Sequence, residues 1–173
     1  IQAALTGHLV FSTLHTNDAC SSITRLINMG VEPYLIGAAL NMVPAQRLVR
    51  RICPKCKSAY EPPRQTRKAI EKMGFEITEF FRGVGCKNCR NTGYSGRIGV
   101  HELLILDDEI RDIVVTNPSV AAVQAAANRK GMITLKQDGF RKVREGITTI
   151  EEILHIAGDI RDAGEIMSGA ATS

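Results

Sequence analysis

The sequence predicts an α/β fold, on three observations. An apolar run with no polar alternation, His8–Leu14, reads as a strand covered on both faces, and at Asp18 the period switches to helical spacing. Two Cys-x-x-Cys pairs, Cys53/Cys56 and Cys86/Cys89, bracket the middle of the chain. From Asp108 onward the pattern is helical, punctuated by Asn117-Pro118, Gly131 and Gly146.

Taken in order, Ile1–Leu5 is short and Ala-rich and reads as a helix end, with Gly7 as its cap. In the run that follows, Leu9, Phe11 and Thr13 point one way and Val10, Ser12 and Leu14 the other. Ala19, Ile23, Leu26 and Ile27 then recur at helical spacing, with Asp18 placed as N-cap and Gly30 as stop. His15, Thr16, Asn17 and Asp18 therefore fall in a turn at the carboxyl end of a strand, the edge where open α/β sheets bind ligands. A short helix over Pro33–Leu40 and a strand over Met42–Ile52 follow, then a helix over Arg64–Met73 between the cysteine pairs. Arg97–Leu106 reads as a strand in which one of His101 and Glu102 faces solvent, a surface or ion-pair position. Helices are predicted over Asp108–Val115, Ser119–Arg129, Ile133–Glu145 and Ile150–Ala157, and the final dozen residues as loose. The expected divisions are 1–51 as core, 52–98 as an insertion and 99–173 as a strand followed by helices.

The chain has 173 residues, 44% of them hydrophobic and 23% charged, the composition of a globular protein. No apolar run approaches the roughly 18 to 20 residues that cross a bilayer. Its first residue is Ile1, inside a helical pattern, which predicts a piece of a longer polypeptide. The net charge of +4 is unevenly spread: residues 52–98 carry ten Lys/Arg against four Asp/Glu, a local +6, whereas 99–173 carry eight against twelve.

Two Cys-x-x-Cys pairs with 29 residues between them suit tetrahedral zinc, each pair supplying two thiolates from one knuckle. Four sulfurs fill the coordination sphere, so the site is expected to be structural. Its net charge of about −2 would be offset by Lys55, Lys57, Lys87, Arg90 and Arg97 in or beside the knuckles. A redox dithiol at Cys53-Pro-Lys-Cys56 is the competing reading, but it lacks the strand-to-helix setting of such sites. Cys20 reads as a small core residue.

No G-x-x-x-x-G-K-[ST] loop occurs, so nothing in the sequence cradles a β-phosphate in the P-loop manner. The order strand, His, turn, helix nevertheless matches an NTPase sheet beyond its phosphate loop, where a polar side chain can detect the γ-phosphate. The segments ALTGHLVFSTLHTNDA, RLINMGVEPYLIGAALNMVPAQRLVRRICPKC and CKNCRNTGYSGRIGVHELLIL closely resemble the C-terminal ATPase domain of the type II secretion and type IV pilus assembly ATPases, the GspE/PilB type. The resemblance runs from Ala3 to about Ile156 and joins a histidine box, an Ala-Gln-Arg-Leu segment and the four-cysteine motif in the family's order.

What the resemblance implies is specific. The fold is the C-terminal part of a RecA-like P-loop NTPase sheet with a zinc insertion and a helical C-terminal region. The intact protein is a homohexamer at the cytoplasmic face of the bacterial inner membrane, reaching the membrane only through partners such as a platform protein. It hydrolyses ATP with Mg²⁺ to drive pilin or pseudopilin assembly, and it does not bind nucleic acid. His8 and His15 match the histidine box, His15 being the one assigned to contact or relay from the γ-phosphate, and Arg97 matches a position near the nucleotide base. Walker A and Walker B segments are absent from the sequence, so catalysis by this chain alone is not expected. From the residues alone, each of these has a plain structural reading: His15 as a strand-end hydrogen-bonder, His8 as a structural residue at the strand's start, Arg97 as a neutraliser of the metal site. The alternative function is a zinc-ribbon nucleic-acid binder using the basic 52–98 segment, with Phe75, Phe80 and Phe81 for base stacking.

Overall fold

The computed structural model describes residues 1–156. The predicted loose tail, and Ala157 of the last predicted helix, lie outside the described residues. The chain forms two compact units: Ile1–Gln46 with His101–Leu135, and Arg47–Val100 with the described residues from Lys136 on.

In the first unit, helices α1 (Gln2–Leu5), α2 (Ala19–Asn28), α3 (Pro33–Ala39), α5 (Asp108–Thr116) and α6 (Val120–Arg129) form around the end of strand β4 (Tyr94–Ile105). Helix α2 starts where the Asp18 carboxylate accepts from the Ser21 backbone N–H at 2.7 Å and from the Ser21 hydroxyl at 2.7 Å. It ends before Gly30, whose φ of 86° suits only glycine without strain. Ile23, Ile36, Leu104, Ile110, Val114 and Val123 are buried together in the core. Each such side chain contributes about 1.5–3 kcal/mol by burial. The ion pairs of Lys130 with Asp107 and Glu109, and of Arg129 with Glu109, are solvent-facing. Pairs of that kind contribute about 0.2–1 kcal/mol each. Apolar packing therefore dominates this unit. Asp18→Ala, which strips the α2 cap without touching the core, is expected to cost about 1 kcal/mol, read as a lowered urea midpoint, with Asp18→Asn nearly neutral.

The expected central strand His8–Leu14 requires correction. The segment is in no ladder, and Leu9 and Phe11 are 83% and 88% exposed. A strand exists only where another strand takes up its backbone N–H and C=O groups. Among the described residues, the sheets are β1 (Met42–Ile52) with β4, and β2 (Lys57–Tyr60) with β3 (Phe80–Gly83), leaving no neighbour for this run.

The second unit contains the β2–β3 antiparallel pair, in register from Lys57↔Gly83 to Tyr60↔Phe80. The 61–79 connection carries helix α4 (Arg64–Lys72) and places Phe75 in a stack on Phe140, ring centroids 4.0 Å apart. Helices α7 (Leu135–Arg144) and α8 (Ile150–Ile156) are joined by a segment that straps onto β1 and β4. The Ile52 N–H donates to the Ile147 carbonyl, and the Thr148 hydroxyl to the Arg50 carbonyl. The Arg50 N–H donates to Glu152 Oε2 at 2.8 Å, while its guanidinium meets Glu152 Oε1 at 3.0 and 2.6 Å and lies 4.0 Å over the Tyr94 ring. Burial raises the Glu152 carboxyl, but the Arg50 side chain and backbone N–H more than offset that and hold it below its ordinary value. Tyr60 donates to Glu151 at 2.8 Å and Tyr94 pairs with Thr149 at 3.1 Å.

Candidate functional site

The four cysteines of the two Cys-x-x-Cys pairs converge. Their sulfurs all lie within 4.8 Å of one another, with Cys53–Cys86 at 3.9, Cys56–Cys89 at 3.8 and Cys86–Cys89 at 3.7 Å. A tetrahedron with metal–sulfur bonds of about 2.3 Å has edges of about 3.8 Å, whereas a disulfide would need about 2.05 Å. The spacing is that of metal ligands, and all four thiols are unbridged.

The local chain explains the convergence. Cys56 N–H donates to Cys53 O, closing the first knuckle, and Cys86–Asn91 closes the second around a short 3₁₀ turn (Lys87–Cys89). Arg90 and Asn91 both adopt positive φ there, at 51° and 61°. N–H donors point at sulfur: the Cys86 and Gly93 backbone N–H groups reach Cys89 Sγ at 3.2 and 3.3 Å, and the Asn88 side-chain amide reaches Cys53 Sγ at 3.8 Å. Gly83 and Gly93 let two backbones meet, since a Cβ on either would overlap the other residue's main chain.

The thiols are electrostatically unequal. Burial raises Cys89, but the Cys86 and Gly93 N–H groups and the neighbouring thiols bring it down to about 6. Burial and the adjacent thiols push Cys56 up to about 12 despite the Gly85 N–H. Burial likewise opposes ionisation of Cys53, yet Lys55 N–H, Asn88 and the other thiols hold it below its usual value. Four crowded sulfurs cannot all carry charge by themselves. A divalent cation removes that conflict by binding them all as thiolates.

His15 stands exposed at the turn, and the turn is pinned to α2 by Thr16 Oγ1 to Ser22 Oγ at 2.8 Å as well as by Asp18. His8 is exposed too; its Nδ1 lies 3.0 Å from Thr6 Oγ1 and 3.2 Å from the Ala3 carbonyl, a local turn contact. Arg97 is an exposed residue of β4. The structure thus gathers the cysteines and leaves the two histidines and Arg97 at the surface. Cys20 is fully buried, and burial, with the nearby Glu102 and Asp18 charges, pushes its thiol up to about 12, which suits a core residue.

Glu102, expected with His101 at a surface or ion-pair position, has a buried role instead. Glu102 is buried at 4% exposure, accepting from Ala19 N–H at 2.9 Å and from Leu135 N–H at 3.1 Å. The signal was present in β4, where Val100, Glu102 and Leu104 alternate inward and His101 and Leu103 outward. A buried carboxylate requires donors, and here they come from the first residues of α2 and α7, too far away in sequence to be read from it.

The phenylalanines proposed for base stacking are engaged elsewhere. Phe80 is buried, Phe75 stacks on Phe140, and Lys57 Nζ lies 4.3 Å over the Phe81 ring.

Residues 1–155 match the sequence profile of the family described as "Type II/IV secretion system protein". This chain belongs to that family. Within the type II/IV secretion family, the type IV pilus assembly ATPase PilB of Thermus thermophilus is 51% identical over 155 residues, covering 88% of this chain and 17% of the relative. The type II secretion system ATPase E of Vibrio cholerae is 44% identical over 156 residues, covering 90% of this chain and 31% of the relative. The chain thus spans a third or less of these curated relatives. Among solved structures, the Legionella pneumophila ATPase DotB aligns at a TM-score of 0.57 and 22% identity, covering 91% of this chain and 34% of that one, a likeness of fold. The mixed helix and strand content fits the α/β fold of that neighbour, and four cysteines are placed to bind a metal. No helix among the described residues is long and apolar enough to cross a membrane.

Proposed function

We propose that this chain is the C-terminal part of an ATPase that powers type II secretion or type IV pilus assembly, and that its cysteine site holds a structural zinc. The observation that carries the reading is the match along residues 1–155, with relatives named as pilus-assembly and secretion ATPases at 44–51% identity. In this reading the whole protein binds MgATP as a homohexamer at the cytoplasmic face of the inner membrane, docked on a platform protein. Its phosphate-binding loop and catalytic acid come from outside this sequence, so the chain alone does not turn over ATP. His15, exposed on a turn that Asp18 and Thr16 fix, contacts the γ-phosphate or relays its presence, with His8 as the second member of the histidine box and Arg97 near the base.

The zinc would be held by Cys53, Cys56, Cys86 and Cys89, supplying cross-linking rather than chemistry because no coordination position remains open. His15→Ala in the full-length protein is expected to lower kcat for ATP about a hundredfold while the thermal melting profile holds. Hydrolysis at the wild-type rate would remove His15 from the reaction.

A further inference from the structure

Glu102 is a buried carboxylate whose two oxygens each receive the first backbone N–H of a different helix. Oε1 takes Ala19 N–H at 2.9 Å and Oε2 takes Leu135 N–H at 3.1 Å. Ala19 is the first residue of α2, directly after the turn that carries His15, and Leu135 is the first residue of α7. A helix start presents N–H groups without intrahelical partners and a partial positive charge, so a carboxylate between two such starts satisfies donors at both and suits both dipoles. Within the turn, Asp18 to Ser21 and Thr16 to Ser22 tie it to α2. The bond from Ala19 to Glu102 spans 83 positions and fastens that assembly to β4.

We infer that Glu102 is a positioning residue for the His15 turn, which it holds in place through Ala19 while tying the same turn to the start of α7 through Leu135. The inference rests on the reading of His15 given above. Glu102 itself is 4% exposed and acts only through the backbone groups it accepts.

Four variants of the full-length protein test this. Glu102→Gln keeps size but turns one acceptor oxygen into an NH₂ facing an N–H. Amide exchange is expected to rise by about tenfold at whichever of Ala19 and Leu135 faces the NH₂, the effect of losing a charge-assisted bond, and by less at the other, which keeps a neutral acceptor. In the same protein kcat for ATP is expected to fall about tenfold with KM within about twofold. Glu102→Asp keeps the charge and shortens the reach, and is expected to exchange as fast as Glu102→Gln; wild-type exchange in Glu102→Asp would show a field effect and overturn the hydrogen-bonded hold. If Glu102 acts through His15, adding His15→Ala to Glu102→Gln lowers kcat no further than His15→Ala alone, a non-additive cycle. Independent, multiplying effects would overturn the positioning role while leaving the His15 assignment intact. A silent His15→Ala would instead sink that assignment, and the exchange rates would then decide by themselves whether Glu102 ties the two helix starts. Unchanged exchange at Ala19 and Leu135 in both Glu102 variants would refute the inference outright.

Discussion

Replacing Cys53 and Cys56 together by Ser is expected to abolish metal binding and to unfold the region around both knuckles while the first unit persists. The purified wild-type chain should carry about one equivalent of zinc and the variant less than a tenth of that. The reason is geometric. Sulfur pairs at 3.7–3.9 Å already match the edges of a metal tetrahedron, so no reorganisation is needed to bind and little apolar contact replaces the metal once it is gone. The cysteines form a cluster of their own, packed against one another rather than against a hydrocarbon core. Structural zinc sites can contribute on the order of 10 kcal/mol to folding, far more than the strands β2 and β3, four residues each, could supply between them. Amide exchange across 53–60 and 80–94 is expected to become fast in the variant, and in wild type treated with a chelator. Val123 and Ala126, buried in the first unit's own cluster, should remain protected. Full metal content in the variant would show that the site is something other than a four-thiolate centre.

Gly93→Ala is the second large effect expected. Gly93 has φ of 76°, donates its N–H to Cys89 Sγ at 3.3 Å, and stands so close to Gly83 that an added Cβ would overlap the Gly83 backbone. Left-handed backbone in a residue with a side chain costs about 1–2 kcal/mol. Here the overlap is with main chain, which cannot rotate aside, so the total should reach about 3 kcal/mol or more. Gly96→Ala is the control. Gly96 has the same φ of 76° but nothing within 4 Å of its added Cβ, so only the conformational part of the cost applies. Zinc affinity measured by competition with a chromophoric chelator should drop for Gly93→Ala and stay close to wild type for Gly96→Ala. Equal losses in the two variants would mean that the close approach of Gly83 and Gly93 contributes nothing.

Where the local code was strong, the sequence was a good guide. Asp18, Pro33, Ser119 and the glycines at 30, 131 and 146 punctuate helices through caps and positive φ that each residue type favours by itself. The paired cysteines were equally legible, because their spacing encodes two knuckles and the structure closes them on each other. The hairpin of β2 and β3 was not. Lys57-Ser-Ala-Tyr60 has no apolar alternation, and its pairing depends on a partner twenty residues away held by the knuckles. His8–Leu14 failed in the opposite sense: its composition is that of a strand, but a ladder needs a neighbour, and propensity cannot supply one. The alternation of β4 left open which of His101 and Glu102 faces solvent, and the buried role of Glu102 was illegible, since both of its donors come from the starts of distant helices.

The strap from Ile147 to Glu152 has a colloidal meaning as well. It occupies the N–H and C=O of Arg50 and the N–H of Ile52, backbone groups that a sheet margin would otherwise offer to any passing extended chain. By filling them from its own sequence the protein blunts one place where molecules could stack edge to edge into aggregates.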